Sequence, residues 1–278
     1  MNSVRLGTWE ARLSLSFQGS AESTYLGRTR SFGPYLVQRP FAESNGTCQV
    51  YLLHPPGGVA AGDSLHLNVT CSANTRVLLT TPAATKLYRS AGKASTLEQG
   101  FSLAPGAMLE WLPQETIVFD GALAHSKTRV ELAAGAQYAG WEISCLGRPA
   151  AHEAYTSGQF KQSVEVWREG EPLFVERCQL NGRDEMLKAP WGMRGHTVMG
   201  TFVCSGVIAA QSSIAGELRE CSPTVTGMTA LTQMGELVIC RYLGDHADEA
   251  RRVFEKLWTV LRPRYLGRSV DAPRVWAT

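Results

Sequence analysis

The feature that most constrains this chain is a hydrophobic alternation of period two, broken again and again by Gly and Pro. Trp9, Ala11, Leu13, Leu15 and Phe17 alternate with Glu10, Arg12, Ser14 and Ser16. Successive side chains of a strand point to opposite faces, so this pattern predicts a half-buried strand. Leu65, Leu67 and Val69 repeat it. Strands are expected over residues 9–17, 24–28, 35–39, 49–54, 65–69, 76–81, 97–103, 108–112, 116–119, 127–132, 138–146, 163–168, 173–180, 198–209 and 236–242. Between them stand Gly33-Pro34, Pro55-Pro56-Gly57-Gly58, Pro105-Gly106, Asp120-Gly121, Gly135 and Glu169-Gly170-Glu171-Pro172. Pro fixes φ and Gly permits φ > 0, so these turns have defined shapes. Turn signals recurring every 8–12 residues or so mark a sandwich or another multi-stranded β architecture.

Helical spacing is confined to short pieces and to the end of the chain. Thr81 as N-cap and Pro82 at the first helical position predict one helical turn over residues 83–88. Residues 211–220 read as a short helix. Asp245 is placed to cap a final helix whose first turn carries Asp248 and Glu249, favourable near the positive end of the helix dipole. Ala250, Val253, Phe254, Leu257, Trp258 and Leu261 then fall on one face, and Pro263 is expected to stop the helix, giving it residues 245–262. Residues 270–276 form a Pro-interrupted tail lying extended against the body. No linker, internal repeat or low-complexity segment is visible. The expectation is one domain over residues 1–278, all-β with a few helices: a many-stranded β-sandwich or β-helical-like body with a C-terminal helix.

Apolar residues make up 44% of the chain and charged residues 19%, enough for a sizeable core. The formal net charge is +2, and no run of Lys or Arg exceeds two. That argues against nucleic acid as a partner, because neutralising phosphates takes a clustered basic face. The seven cysteines are odd in number and widely spaced, with no Cys-x-x-Cys pair. This is the usage of a reducing compartment, where thiols behave as small buried hydrophobes. Residues 1–10 carry no apolar stretch of a secretory signal, and the longest near-apolar run, 198–210, is too short to span a bilayer. A soluble cytoplasmic protein is expected.

The short motifs each have a plainer reading. Gly62-Asp63-Ser64-Leu65 matches the signature of one serine-hydrolase class, which requires a helix behind the Ser and a downstream Asp-x-x-His. Here an alternating strand follows, and Asp245 and His246 are adjacent. Ala91-Gly92-Lys93-Ala94 lacks the upstream Gly and the hydroxyl of a phosphate loop. The six histidines show no metal-ligand spacing; His54 stands out because it closes a buried-type strand just before Pro-Pro-Gly-Gly. Asp63, Glu110, Glu115, Glu142 and Glu176 sit in or beside apolar strands. They read either as outward-facing residues paired with Arg89, Arg148 and Arg177, or as carboxylates directed into an internal polar path. Tyr88, Arg89 and Arg148 read as packing and ion-pair residues or as a partner-binding surface.

Three stretches taken together change the balance. They are Tyr51-Leu-Leu-His-Pro-Pro-Gly-Gly through Gly62-Asp63, then Thr80-Thr-Pro-Ala-Ala-Thr-Lys-Leu-Tyr-Arg-Ser90, and Leu109-Glu-Trp-Leu-Pro-Gln-Glu-Thr-Ile117. With Gly33-Pro34, Val37-Gln-Arg-Pro40, Gly140-Trp141-Glu142, Leu146-Gly-Arg-Pro149, Glu176-Arg177, Leu257-Trp258, Leu261-Arg-Pro263 and Pro273-Arg-Val-Trp276, the chain resembles the urease accessory protein family UreD, also called UreH. The likeness runs from about Trp9 to Trp276. Ala60-Ala61 stands where Gly is usual, and Gln49 where many members have His, so no ligand is counted there.

The resemblance implies an all-β, non-catalytic maturation factor. Such a protein joins UreF and the GTPase UreG on the urease apoprotein, and Ni²⁺ reaches the urease active site after lysine carbamylation. It implies no tightly bound cofactor, only Ni²⁺ in transit, with a tunnel as the proposed route. Asp63 and Glu176 are the leading candidates to line such a path, followed by Glu142, Glu110 and His54. A conduit must bind weakly at several points, so scattered carboxylates suit it better than a Cys/His cage. A serine hydrolase using Ser64, and an interaction module with nickel travelling elsewhere, are the alternative readings.

Overall fold

The protein is described by a computed structural model covering residues 8–206, 214–265, 267 and 269–277. Its strands in chain order are β1 (Glu10–Gly19), β2 (Thr24–Phe32), β3 (Leu36–Val37), β4 (Phe41–Ala42), β5 (Cys48–Leu53) and β6 (Ser64–Cys71). There follow β7 (Arg76–Thr80), β8 (Thr85–Leu87), β9 (Ser95–Leu103), β10 (Met108–Leu112), β11 (Thr116–Val118) and β12 (Leu123–Leu132). The last six are β13 (Gln137–Leu146), β14 (Gln159–Arg168), β15 (Glu171–Asn181), β16 (Val198–Cys204), β17 (Met228–Met234) and β18 (Leu237–Gly244). Helix α1 (Ile214–Cys221) precedes β17, and α2 (Ala247–Tyr265) follows β18.

Two sheets share these strands. The first runs β15-β14-β12-β9-β6-β1-β2, the second β17-β18-β16-β13-β10-β7-β5-β3. In the first, β1, β6, β9, β12 and β14 are mutually parallel neighbours, with β2 and β15 antiparallel at its edges. In the second, β5, β7, β10 and β13 are parallel. Parallel neighbours need a long crossover. Here the crossover is a strand of the opposite sheet: the chain passes from β6 to β7, touches a short third face at β8, and returns at β9. It repeats the turn through β10 and β11 to β12. Strand β13 serves two faces, pairing β10 with its first half and β11 with its second. The body is therefore a β-solenoid. Its coil is visible in the register, where His66 meets Glu98 at a separation of 32 positions and Thr128 meets Gln99 at 29.

Inward side chains of the first sheet line up in rows across the strands. One row is Leu15, Val69, Phe101, Val130, Val166 and Phe174, all buried in the core between the sheets. The outer face of the second sheet buries Leu78, Leu112, Trp141, Ile143 and Phe202 beneath Phe254, Leu257 and Trp258 of α2. Phe254 stacks on Phe202 at 6.0 Å. The periodic apolar face of the helix thus closes a second core.

Glu249, in the first turn of α2, accepts from the amides of Thr226 and Gly227 at 3.1 Å and from the Tyr242 hydroxyl at 2.9 Å. Burial works against its charge, but these donors hold its carboxyl down to about 2. Arg262, fully buried, reaches Glu110 at 3.0 Å and Glu43 at 2.9 Å. Trp276 of the tail packs on Trp141 and Trp258 and donates to the Thr80 hydroxyl at 3.0 Å.

Several expectations need correction. Residues 85–87 form strand β8, paired with β11, because closing the third face of the coil outweighs the local helix signal. Asp245 does not cap α2; its carboxylate accepts from the Thr197 amide at 3.1 Å and lies 3.0 Å from His196 Nδ1. Pro263 sits inside the last turn of α2, where it costs one hydrogen bond and leaves the helix intact. The tail makes a short 3-10 turn, Arg274–Ala277. Strand β17 has no clear alternation and was not expected. The readings made on residues 1–7 and 207–213 lie outside the described residues. No helix among the described residues is long and apolar enough to cross a membrane.

Candidate functional site

The row next to the apolar one is where the sandwich turns polar. It contains Leu67, Gln99, Thr128, Val164 and Glu176. From the second sheet Glu142, Thr201 and Arg241 stand side by side across β13, β16 and β18. The alternation that buries Tyr138 also turns Glu142 inward, toward the first sheet. Glu142 Oε1 accepts from the Thr128 hydroxyl at 2.7 Å and from the Trp111 indole N–H at 3.2 Å. Thr128 in turn lies 3.1 Å from the Gln99 amide oxygen. On the far side, Glu176 accepts from the Thr201 hydroxyl at 2.7 Å and from Arg241 Nε at 2.8 Å. Gln99, Thr128, Glu142, Thr201 and Glu176 form one polar seam through an otherwise apolar interior.

Open space flanks this seam. An upper cavity of about 250 Å³ is bordered by Tyr35, His54, Gln99, Trp111, Gln114 and Glu142. A lower one of about 450 Å³ is bordered by Glu142, Gln162, Glu176, Cys178, Arg194 and Arg241. Glu142 borders both. Glu142 is partly buried and keeps a face toward the cavities, and burial raises its pKa above the ordinary value against the pull of its Thr128 and Trp111 donors. His54, at the upper end, packs edge-on to Tyr35 at 6.3 Å. Burial lowers its pKa, and the charge of Asp63 opposes that shift. The seam therefore offers carboxylates, hydroxyls, an amide and an imidazole that is mostly neutral near pH 7, donors that hold a divalent cation weakly and let it go.

The seam unites three of the five sequence-derived path candidates: His54, Glu142 and Glu176. Asp63 lies apart from both cavities. Its carboxylate accepts from the Trp9 amide at 2.7 Å and the Ala60 amide at 3.1 Å, closing the turn before β6. Glu110 faces the opposite side of the second sheet, under α2, where it binds Arg262 and accepts from the Trp258 indole at 2.5 Å. Strand parity puts neighbours on opposite faces, so Glu110 and Trp111 cannot both point into the seam. Sequence reasoning passed over Gln99 and Thr128. Their signal was present: each is a polar residue at an inward position of an otherwise apolar alternation, Leu97-x-Gln99-x-Phe101 and Ala124-x-Ser126-x-Thr128-x-Val130.

Tyr88, Arg89 and Arg148 meet on one surface around Phe119. Tyr88 packs edge-on to Phe119 at 5.1 Å, and the Arg148 guanidinium lies 4.6 Å from the same ring. Arg89 pairs with Asp120 at 2.9 Å, and Arg148 with Glu153 at 2.8 Å. A Cβ on Gly58 would fall 2.3 Å from the Tyr88 ring, so the Pro-Pro-Gly-Gly turn needs glycine there to seat the tyrosine. Ser64 opens strand β6 and has no helix behind it, which removes the geometry that the hydrolase reading requires.

Fold and seam define a β-solenoid crossed by carboxylates, without a metal cage: among the described residues no three of His, Cys, Asp and Glu converge as ligands. A model of the UreD urease accessory protein family matches residues 10–277. The urease accessory protein UreD 2 of Brucella anthropi is 41% identical over 97% of this chain and 98% of its own length. UreD of Dechloromonas aromatica is 41% identical over 98% of this chain and 95% of its own, and UreD of Chromohalobacter salexigens 40% over 97% and 89%. The chain belongs to the UreD family of urease accessory proteins.

Proposed function

We propose that this chain is a cytoplasmic urease maturation factor with no chemistry of its own. It joins UreF and the GTPase UreG on apo-urease, and Ni²⁺ crosses its interior along the seam from His54 past Glu142 to Glu176. One observation carries the reading: a single carboxyl, Glu142, borders both cavities. A site shared by two cavities can take a cation from one side and release it to the other. Only the neutral Thr128 and Trp111 donors meet this carboxyl, and burial raises its pKa above the ordinary value. The remaining donors are hydroxyls and amides, which bind weakly enough for an ion to leave. Ni²⁺ is cargo throughout. Asp63 acts on the route only through its charge on His54, and Glu110 belongs to the anchorage of α2. The surface of Tyr88, Arg89 and Arg148 is the proposed docking face for a protein partner.

The test is urease activation with purified partners at limiting Ni²⁺ and bicarbonate, reading nickel per active site. Omitting the chain should abolish incorporation, and Glu142→Gln with Glu176→Gln should depress it while the complex still assembles. Full incorporation by the double variant would reduce the chain to a docking scaffold. Full incorporation without the chain would overturn the maturation role.

A further inference from the structure

The lower end of the seam is already occupied by a cation. Both oxygens of Glu176 are engaged, one by the Thr201 hydroxyl at 2.7 Å and the other by Arg241 Nε at 2.8 Å. The Arg241 side chain is 49% exposed and that of Glu176 28%, so the pair stands at the mouth of the lower cavity and not in the sealed core. One further guanidinium lines the same mouth, that of Arg194, which donates to the Met228 sulfur at 3.6 Å. Two positive groups, Arg194 and Arg241, near Glu176 make this the part of the seam where a free dication is least favoured, since like charges at close range repel strongly in a partly desolvated site.

We infer that Arg241 gates the lower end of the seam: its guanidinium occupies on Glu176 the position a divalent cation must take, so an ion reaches or leaves that carboxylate only by exchange with Arg241. The inference rests on the conduit reading for its purpose but not for its chemistry. A single-point contact through Nε is easier to break than a two-pronged guanidinium–carboxylate pair. The displaced side chain has a resting place at hand, for its guanidinium already lies 5.9 Å from the Phe174 ring centroid, within reach of a cation–π contact. The plainer role, a surface ion pair that only steadies the sheet, predicts a small change in stability and none in metal binding. The two roles separate cleanly in a binding experiment.

Equilibrium dialysis of the purified chain against NiCl2, up to millimolar concentration, measures the exchange directly. Arg241→Gln should tighten Ni²⁺ binding roughly tenfold, the effect of removing one close positive charge. Arg241→Met, which keeps the aliphatic stem on Phe174, should do the same and guards against a folding artefact in the first variant. Arg241→Lys, retaining the charge, should stay near wild type. Adding Glu176→Gln to Arg241→Gln should erase the gain. Unchanged or weaker binding in both Arg241→Gln and Arg241→Met overturns the gate, as does a gain that survives loss of the Glu176 carboxylate. Because the readout is nickel on this chain alone, the result is independent of urease loading. A conduit that fails in activation assays leaves a tightened Arg241→Gln site standing, and a failed gate leaves the conduit standing.

Discussion

At the scale of single residues, the decisive feature is an ionisable group where the pattern reserves a place for an apolar one. Strand β13 turns Tyr138 and Glu142 to the same side, and a carboxylate there is costly unless donors meet it. Only neutral donors do, Thr128 and Trp111, so burial wins and the carboxyl pKa rises above its ordinary 4.5. The folded state then holds this proton more tightly than the unfolded chain. The stability tied to the group is complete below 4.5 and drains away as pH rises through the folded value. Glu142→Gln should therefore stabilise the fold, and by more at pH 8 than at pH 5, in urea unfolding at the two pH values. An equal effect at both would mean that the carboxyl titrates normally. A residue that is destabilising when ionised yet sits between two cavities fits a functional role better than a packing one. The inward setting of Glu142, Gln99 and Thr128 was legible in the alternation. That Glu142 and Glu176 approach the same Thr201 was not, since they lie on different sheets.

At the scale of elements, α2 is held by more than its apolar stripe. Arg262, on the helix face that carries Trp258, is buried to 0% exposure against Glu110 of β10 and Glu43, and it donates to the Ser269 carbonyl of the tail at 2.6 Å. Burial raises the Glu43 carboxyl pKa even so, against the pull of Arg262. Removing the shared cation leaves two carboxylates facing each other out of water. Arg262→Met should cost about 3–5 kcal/mol in urea unfolding, and Glu110→Gln in the same chain should recover part of it. A loss below about 1 kcal/mol would put the cluster on a par with a surface pair. The existence and apolar face of α2 were readable from i, i+3, i+4 spacing. Its ends were not, because Asp245 was claimed by the loop at Thr197 and Pro263 was tolerated in the last turn. The segment at 85–87 was misread for a related reason: a cap and a proline describe local preference, and a parallel partner strand outweighed it.

At the scale of the whole molecule, the solenoid makes the inner strands of each sheet the most secure. Strands β6, β9 and β12 are paired on both sides, while β2 and β17 each leave one edge open. Hydrogen exchange should find the slowest amides in β6, β9 and β12 and markedly faster ones in β2 and β17, because local opening at an edge breaks fewer contacts. Equal protection of β2 and β9 would show that the sheet opens as one unit. The sequence by itself determined that this chain is built of many strands, that one long amphipathic helix closes it, and that its motifs are those of the UreD family. All of this rests on side-chain periodicity and on local turn chemistry, which act between near neighbours in the chain. Only the tertiary structure decided that the strands coil into parallel ladders about thirty residues apart, that Glu110 serves the helix while Glu142 serves the seam, and that Glu176 is already held by Arg241. Those outcomes depend on which sheet each strand joins and on which face then meets which, and pairing between distant strands is set by the closing of the core as a whole.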